Sequence, residues 1–265
     1  MKIITLGPKG TFSHQAALNY GATEIEFKKT VRDVFESVDT AIGLVPIENS
    51  VSGTVGLTLD ALMDFSLNIV DELILPVKHY LAGFGSLTDI KIIYSHPQSY
   101  AQCEHFLRKN FPDVEIIETS SNGKSAEMVA KLKDKTRAAI VPKIAAELYD
   151  LKILKSNIQD NRFNVTRFIV IATSEAKRTG YDRTSIAIYP QIDRPGLLYD
   201  LLGEFAKRKI NLTKIESRPS KGKLGDYIFF IDFEGHKEEP LVKEALNAIE
   251  KEFFLKVLGS YPRKY

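Results

Sequence analysis

Ala41-Ile42-Gly43-Leu44-Val45-Pro46-Ile47 runs without a charged residue straight into Glu48-Asn49-Ser50-Val51-Ser52-Gly53-Thr54. The first half is short, continuous and apolar, as a strand covered on both faces must be. The second half places a carboxylate, an amide and three hydroxyls at the strand's carboxyl end, more than a turn needs. Apolar residues at helical spacing follow over Val55–Met63. Strand, polar turn and helix in succession are the repeating unit of an α/β layer fold, and open sheets of that kind bind ligands beyond the carboxyl ends of their strands.

Working outward, the same rhythm recurs. Ile3–Leu6, Ile90–Tyr94, Val114–Ile117, Ala138–Val141 and Phe168–Ala172 read as buried strands, and Phe12–Tyr20, Tyr100–Leu107, Ala126–Leu132 and Ile144–Leu148 as helices. Ser174–Asp182 is polar, lacks periodicity and precedes a new strand signal, so the domain boundary is placed there. Beyond it the order is strand Ser185–Tyr189, helix Pro195–Lys207, strands Asn211–Ser217 and Tyr227–Phe233, helix Leu241–Glu250 and strand Phe254–Leu258, a ferredoxin-like βαββαβ sandwich. Asp193 is the expected N-cap of its first helix, with Pro195 in the opening turn and Leu197, Leu198, Leu201, Leu202 and Phe205 on one face.

Lys and Arg total 36 against 34 Asp and Glu, a formal charge of +2, which provides no broad field for nucleic acid or an anionic membrane. The Lys207-Arg208-Lys209 cluster reads as a solvated helix end. Cys103 is the single cysteine, so no intramolecular disulfide forms and no cysteine cluster offers a metal site; a reducing cytoplasm is expected. The apolar opening residues are too few for a signal peptide, and no apolar run approaches the roughly 20 residues of a membrane helix.

Four polar segments follow strands. Gly7-Pro8-Lys9-Gly10-Thr11-Phe12-Ser13-His14 combines glycines with a helix start, either a place for an anion to dock or an ordinary turn capped by Thr11. Pro46 to Thr54 is the second. Ser95-His96-Pro97-Gln98 fits a Ser-x-x-Gln capping box, which gives Ser95 and Gln98 a structural role, while Gln102 one turn on is either solvent-facing or a site residue. Asn164-Val165-Thr166-Arg167-Phe168 enters a strand in which alternation puts Thr166 and Phe168 on one face and Arg167 on the other. By spacing alone, Thr166 reads as a structural β-branched residue entering a strand, and spacing carries no catalytic case for it. His14 and His96 read as local hydrogen-bonding groups at helix starts.

Together these segments resemble the prephenate dehydratase family along the whole chain. Its glycine-threonine motif is similar to Gly7-Pro8 with Gly10-Thr11-Phe12-Ser13, its Pro-Ile-Glu-Asn-Ser motif to Pro46–Ser50, its Ser-His-Pro helix start to Ser95-His96-Pro97 with Gln102, and its Asn-x-Thr-Arg-Phe signature to Asn164–Phe168. The family's Ser-Thr-Ala element corresponds to Ser121-Asn122-Gly123, where an amide replaces a hydroxyl. The resemblance implies a two-lobed periplasmic-binding-protein-like catalytic domain over residues 1–176 and an ACT regulatory domain over 183–265. It implies decarboxylating dehydration of prephenate to phenylpyruvate in phenylalanine biosynthesis, without metal or organic cofactor. Thr166 and Arg167 are the catalytic candidates. Thr11, Ser13, Glu48, Asn49, Ser50, Gln102, Ser121, Asn122 and Phe168 are the substrate-binding candidates, with Phe168 also a packing residue.

In the ACT part, Glu216-Ser217-Arg218-Pro219 matches the Glu-Ser-Arg-Pro motif, and Gly196-Leu197-Leu198 stands for Gly-Ala-Leu, with Leu197 adding bulk. These residues are the effector-binding candidates, with phenylalanine as the expected effector of a homodimer or homotetramer. With no helical segment before Gly7, a fused chorismate mutase is not expected. Two rivals stay open: a ligand-responsive regulator that turns nothing over, and an arogenate dehydratase.

Overall fold

Each apolar run named above forms a strand, and several polar strands join them. The computed structural model describes residues 1–192, 194–220, 222 and 225–265, so the N-cap expected at Asp193 lies outside the described residues. In chain order the elements begin β1 (Lys2–Leu6), α1 (Phe12–Asn19), β2 (Glu24–Lys28), α2 (Val31–Glu36), β3 (Ile42–Asn49), β4 (Gly53–Thr54), α3 (Gly56–Asp64) and β5 (Asn68–Pro76). They continue β6 (Tyr80–Gly83), β7 (Ile92–Ser95), α4 (Pro97–Ala101), α5 (Glu104–Asn110), β8 (Glu115–Glu118), α6 (Asn122–Leu132), β9 (Arg137–Val141), α7 (Lys143–Leu148), β10 (Lys152–Ser156) and β11 (Val165–Ala172).

The first sheet has the order β2-β1-β3-β11-β5, with β4 hung on β3. β1 runs parallel to both its neighbours. β11 is buried at every residue after its first, which is why its stretch Phe168–Ala172 is an unbroken apolar run. The second sheet has the order β10-β6-β9-β7-β8, parallel around β7 and antiparallel around β6. Its strands show the period of two: Ala82, Tyr94, Ala139 and Val141 pack with Val129 and Ala145 on one face, and Leu81, Ile93, Ala138 and Ile140 with Leu107 on the other. Cys103 is buried in that second cluster, where desolvation pushes its thiol pKa up, so it packs and does not react.

The third sheet comprises β12 (Asp182–Pro190), β13 (Leu212–Pro219), β14 (Tyr227–Glu234) and β15 (Phe253–Pro262), with helices α8 (Leu197–Ala206) and α9 (Pro240–Ile249). Its order β13-β14-β12-β15, antiparallel throughout, is the expected βαββαβ sandwich. Leu197, Leu201 and Phe205 of α8 and Val242, Leu246 and Ile249 of α9 pack on Ile186, Ile188, Ile231 and Phe233.

The described residues group into two compact units, Met1–Ser37 with Ala41–Gly56 and Leu73–Phe168, and Val38–Thr40 with Leu57–Glu72 and Ile169–Tyr265. Within the second unit, Leu57–Glu72 is held to the four-stranded sheet by cations. Arg183 Nη1 meets Glu72 Oε2 at 2.6 Å with both side chains fully buried. Arg218 holds Asp60 through Nε and Nη2 at 3.1 to 3.2 Å. Lys256 Nζ donates to the carbonyls of Leu62, Met63 and Phe65 at 2.8 to 2.9 Å, closing the carboxyl end of α3.

Two local expectations need correction. The helix expected over Tyr100–Leu107 is broken: α4 ends with Gln102 as its C-cap, and α5 restarts after Cys103. The cap of α4 is His96, whose Nδ1 accepts from Gln98 N at 3.3 Å; Ser95 is the last residue of β7 and its Oγ donates to His96 O. Pro97 at the first helical position fixes the helix start one residue later than the capping-box reading does. Among the described residues no helix is long and apolar enough to cross a membrane.

Candidate active site

Three strand ends and two helix starts build one cavity of about 270 Å³. From β1 the chain turns through Gly7 to Thr11, whose Oγ caps α1 by accepting from His14 N at 3.3 Å. Thr11, Phe12 and Ser13 line the cavity. Ser121 caps α6 in the same way, accepting from Lys124 N at 3.1 Å, and it lines the cavity with Asn122. Asn49 comes from the end of β3, Gln102 from the break between α4 and α5, and Thr166 and Phe168 from β11. Thr11, Ser13, Asn49, Gln102, Ser121, Asn122, Thr166 and Phe168 therefore share one cavity.

The first two walls press closely together. A Cβ on Gly123 would lie 2.2 Å from Lys9 O, and one on Gly10, whose φ is +82°, would lie 3.1 Å from the Ala145 Cβ. Any side chain at either position forces the β1–α1 turn away from α6 and α7.

Glu48, Ser50 and Arg167 do not line the cavity. Alternation explains this for the two strand residues: Asn49 and Thr166 face inward, so their neighbours Glu48 and Arg167 face away, where Arg167 Nη1 meets Glu48 Oε1 at 3.2 Å. Ser50 Oγ donates to Phe163 O at 3.1 Å and accepts from Val165 N at 3.0 Å, tying the polar loop after β3 to the start of β11.

The inward side chains form a buried network whose orientations can be deduced. Asn49 Oδ1 accepts from Val51 N and Ser52 N at 3.0 and 2.8 Å; backbone N–H groups only donate, so the Asn49 amide has one orientation. Its Nδ2 then donates to Asn164 Oδ1 at 2.7 Å, and its second hydrogen is shared between Thr166 Oγ and Val165 O, each at 3.0 Å. Asn164 Nδ2 is left to donate to Gln102 Oε1 at 2.8 Å, and Gln102 Nε2 turns to Ser52 Oγ at 3.0 Å. Thr166 Oγ thus accepts from Asn49 and keeps its own proton for donation. Asn122 Nδ2 donates to Ser99 Oγ at 2.6 Å, so the amide that departs from the family pattern braces a neighbouring wall residue.

Among the described residues, no Asp, Glu, Lys or Arg lines this cavity. Its imidazoles belong to His79 and His96, each with its pKa lowered by burial. His14 stands just behind the wall, its Nδ1 accepting from Gly10 N at 3.1 Å, and its pKa is lowered by burial and by Lys9. Sequence reasoning missed His79, Ser99 and Asn164 as site residues. Asn164 stood inside a quoted motif, but His79 follows β5, a strand the apolar pattern did not reveal.

A larger groove of about 560 Å³, lined by Leu87, Ile90, Phe106 and Phe111 with Lys91 and Lys155, holds none of the candidate residues. The concentration of oriented donors, rather than size, makes the smaller cavity the candidate site.

In the second unit, Gly196, Leu197 and Leu198 line a groove of about 320 Å³ with Tyr189, Arg194, Tyr227 and Phe229. Leu197 belongs mainly to the sandwich core, at 7% exposure. Glu216, Ser217, Arg218 and Pro219 lie along β13 and do not line that groove. Arg218 is occupied by Asp60, and Ser217 and Pro219 point out to solvent as strand alternation requires.

The family model for prephenate dehydratase matches residues 3–176, and that for the ACT domain residues 191–251. The chain is 46% identical over 270 residues to the bifunctional chorismate mutase/prephenate dehydratase of Aquifex aeolicus, an alignment covering 99% of this chain and 74% of that protein. It is 44% identical over 265 residues to the prephenate dehydratase of Methanocaldococcus jannaschii, with 96% of each chain covered. The crystal structure of the prephenate dehydratase of Arthrobacter aurescens in complex with L-Phe superposes with a TM-score of 0.91 at 34% identity, covering 99% of this chain and 90% of that one. With an end-to-end match on the sequence side and the same two-part fold on the structural side, the chain belongs to the prephenate dehydratase family, in the form that carries a C-terminal ACT domain.

Proposed function

We propose that the Asn49–Thr166 cavity carries out the family's reaction, with Thr166 as the donor to the departing ring oxygen. The observation that carries this reading is the 3.0 Å bond from Asn49 Nδ2 to Thr166 Oγ, in which the oxygen accepts, so that its O–H points elsewhere. Prephenate loses a ring carboxylate as carbon dioxide; the released electron pair moves through the ring and breaks the C–O bond to the hydroxyl. Forming phenylpyruvate, carbon dioxide and water from the dianion consumes one proton, and Thr166 is placed to deliver it, with solvent resupplying the hydroxyl. Aromatisation drives the step, so the protein's task is positioning and hydrogen bonding.

The remaining carboxylate is assigned to the N–H groups at the starts of α1 and α6, beside Thr11, Ser13 and Ser121. Gln102 and Asn49 act through the network, Asn122 through Ser99, and Phe168 packs against the ring. Arg167 and Glu48 hold each other beneath β3 and β11, which makes both positioning residues, and Ser50 fastens the loop.

For the ACT part, phenylalanine is the effector. The support is the L-Phe complex of the Arthrobacter aurescens relative, together with the groove at Gly196–Leu198. Phenylalanine acts by binding one state of a homo-oligomer better than another. The deciding experiment is turnover of purified protein with prephenate and with arogenate, each with and without phenylalanine. Prephenate turnover modulated by phenylalanine supports the reading. Exclusive arogenate turnover replaces the substrate, and turnover of neither leaves a binding protein.

A further inference from the structure

One buried group in the cavity is left unused by the mechanism above. His79 is 1% exposed and lines the cavity. Its Nε2 lies 2.8 Å from Gln102 Oε1. The chain of amide orientations that starts at the two backbone donors on Asn49 makes that oxygen an acceptor, which already receives Asn164 Nδ2 at 2.8 Å. The imidazole must therefore carry its proton on Nε2, and burial keeps the ring neutral. What remains is Nδ1, a bare lone pair that is buried and has no hydrogen-bond partner. Buried acceptors without a donor are rare enough to require an explanation.

Prephenate is rich in acceptors, with two carboxylates and a ketone. As the dianion it has a single hydrogen-bond donor, the ring hydroxyl. We infer that His79 Nδ1 accepts the hydrogen bond of that hydroxyl, an assignment that rests on the reading of the cavity as the prephenate site. The hydroxyl oxygen then sits between a donor, Thr166 Oγ, and an acceptor, His79 Nδ1. The acceptor fixes the hydroxyl's own hydrogen and turns the oxygen's lone pairs to Thr166. This orients the whole substrate, placing the hydroxyl end at His79 and the side-chain carboxylate at the helix starts. The Phe12 ring stands edge-on to the imidazole, with centroids 5.3 Å apart.

Two variants of the full chain separate contact from scaffolding. His79→Gln keeps a donor toward Gln102 and removes the Nδ1 acceptor; His79→Asn restores an amide oxygen near the Nδ1 position and gives up the Gln102 bond. Steady-state turnover of prephenate is measured alongside inhibition by phenylpyruvate, which lacks the ring hydroxyl. The expected result is a loss of about 10- to 100-fold in kcat/KM for H79Q, substantial recovery in H79N, and an unchanged phenylpyruvate Ki in both. The inference is overturned if H79Q stays within about threefold of the parent, if H79N falls as far as H79Q, or if the phenylpyruvate Ki rises in step with the prephenate KM. A parent enzyme that turns over neither prephenate nor arogenate removes the underlying reading instead, a result distinct from any of these.

Discussion

The molecule contains two buried polar clusters built on opposite principles. Around Thr166 the buried groups are neutral: amides, hydroxyls and an uncharged imidazole, linked over Asn49, Asn164 and Gln102. Between Leu57–Glu72 and the ACT sheet the groups are charged, with Arg183 buried on Glu72, Arg218 partly exposed on Asp60 and Lys256 on three carbonyls. A buried charge demands a counter-charge, which Arg183 and Glu72 supply to each other, while Arg183 Nε and Nη2 make no hydrogen bond and the guanidinium stands 4.1 Å over the Tyr265 ring. Neutral groups tolerate incomplete pairing, so the first cluster can hold an unspent O–H and an unfilled lone pair for an incoming ligand. One cluster fastens and the other receives.

This contrast can be broken at several points. The largest effect is expected at Thr166. Thr166→Ala should lower kcat by about 10²- to 10⁴-fold while thermal unfolding shifts little, and an alanine enzyme with near-parent kcat would sink the donor assignment. Next comes the closed cluster. Glu72→Gln leaves the Arg183 guanidinium buried without its counter-charge and should cost about 3–5 kcal/mol in urea unfolding. Replacing both partners with apolar residues should return most of that loss. If the double replacement is as unstable as the single one, the pair contributes more than mutual neutralisation.

A smaller effect is expected from pH. Burial lowers the His79 pKa, so above the unfolded-state value of about 6.5 both states are neutral and the full stability is present. As pH falls through and below that value, the unfolded chain takes up a proton that the folded chain refuses. Stability declines by at most about 1.4 kcal/mol per pH unit until the depressed folded pKa is crossed. Urea midpoints between pH 7.5 and 5 test this (a range set around that unfolded value of about 6.5), and His79→Gln should flatten the decline. The smallest effect belongs to Arg218: its pair with Asp60 is partly exposed, and Arg218→Ala should cost no more than about 1 kcal/mol. A larger loss would place that pair with the closed, dry cluster.

What could be read from the sequence follows from which forces leave a local mark. β1, β3, β7, β9 and β11 bury both faces and announce themselves as apolar runs. β2, β5 and β10 carry charged residues and β6 is only four residues long: Glu24-Ile25-Glu26-Phe27-Lys28 has a period but little apolar mass, and Glu72 interrupts β5 with a carboxylate that Arg183, 111 residues away, and the Lys264 N–H make tolerable. Thr166 and Asn49 were identified through motifs, and strand alternation put Thr166 on the face of Phe168, opposite Arg167. Alternation also turns Glu48 and Arg167 outward, but the motif resemblance carried Glu48 into the list of substrate contacts all the same. Gln102 depended on a helix break that no proline or glycine announces. His79 had no signal at all, because its importance lies in an atom without a partner, a property that exists only once the surrounding amides are oriented.

The hydrogen atom at Gly123 has a consequence of its own. With Lys9 O only 2.2 Å from where a methyl carbon would stand, the turn and the helix meet like two halves of a shutter with no gasket between them. Position 123 thus sets the spacing of two walls of the cavity, and a larger residue there must move one against the other. A wedge as small as one methyl would hold the shutter ajar.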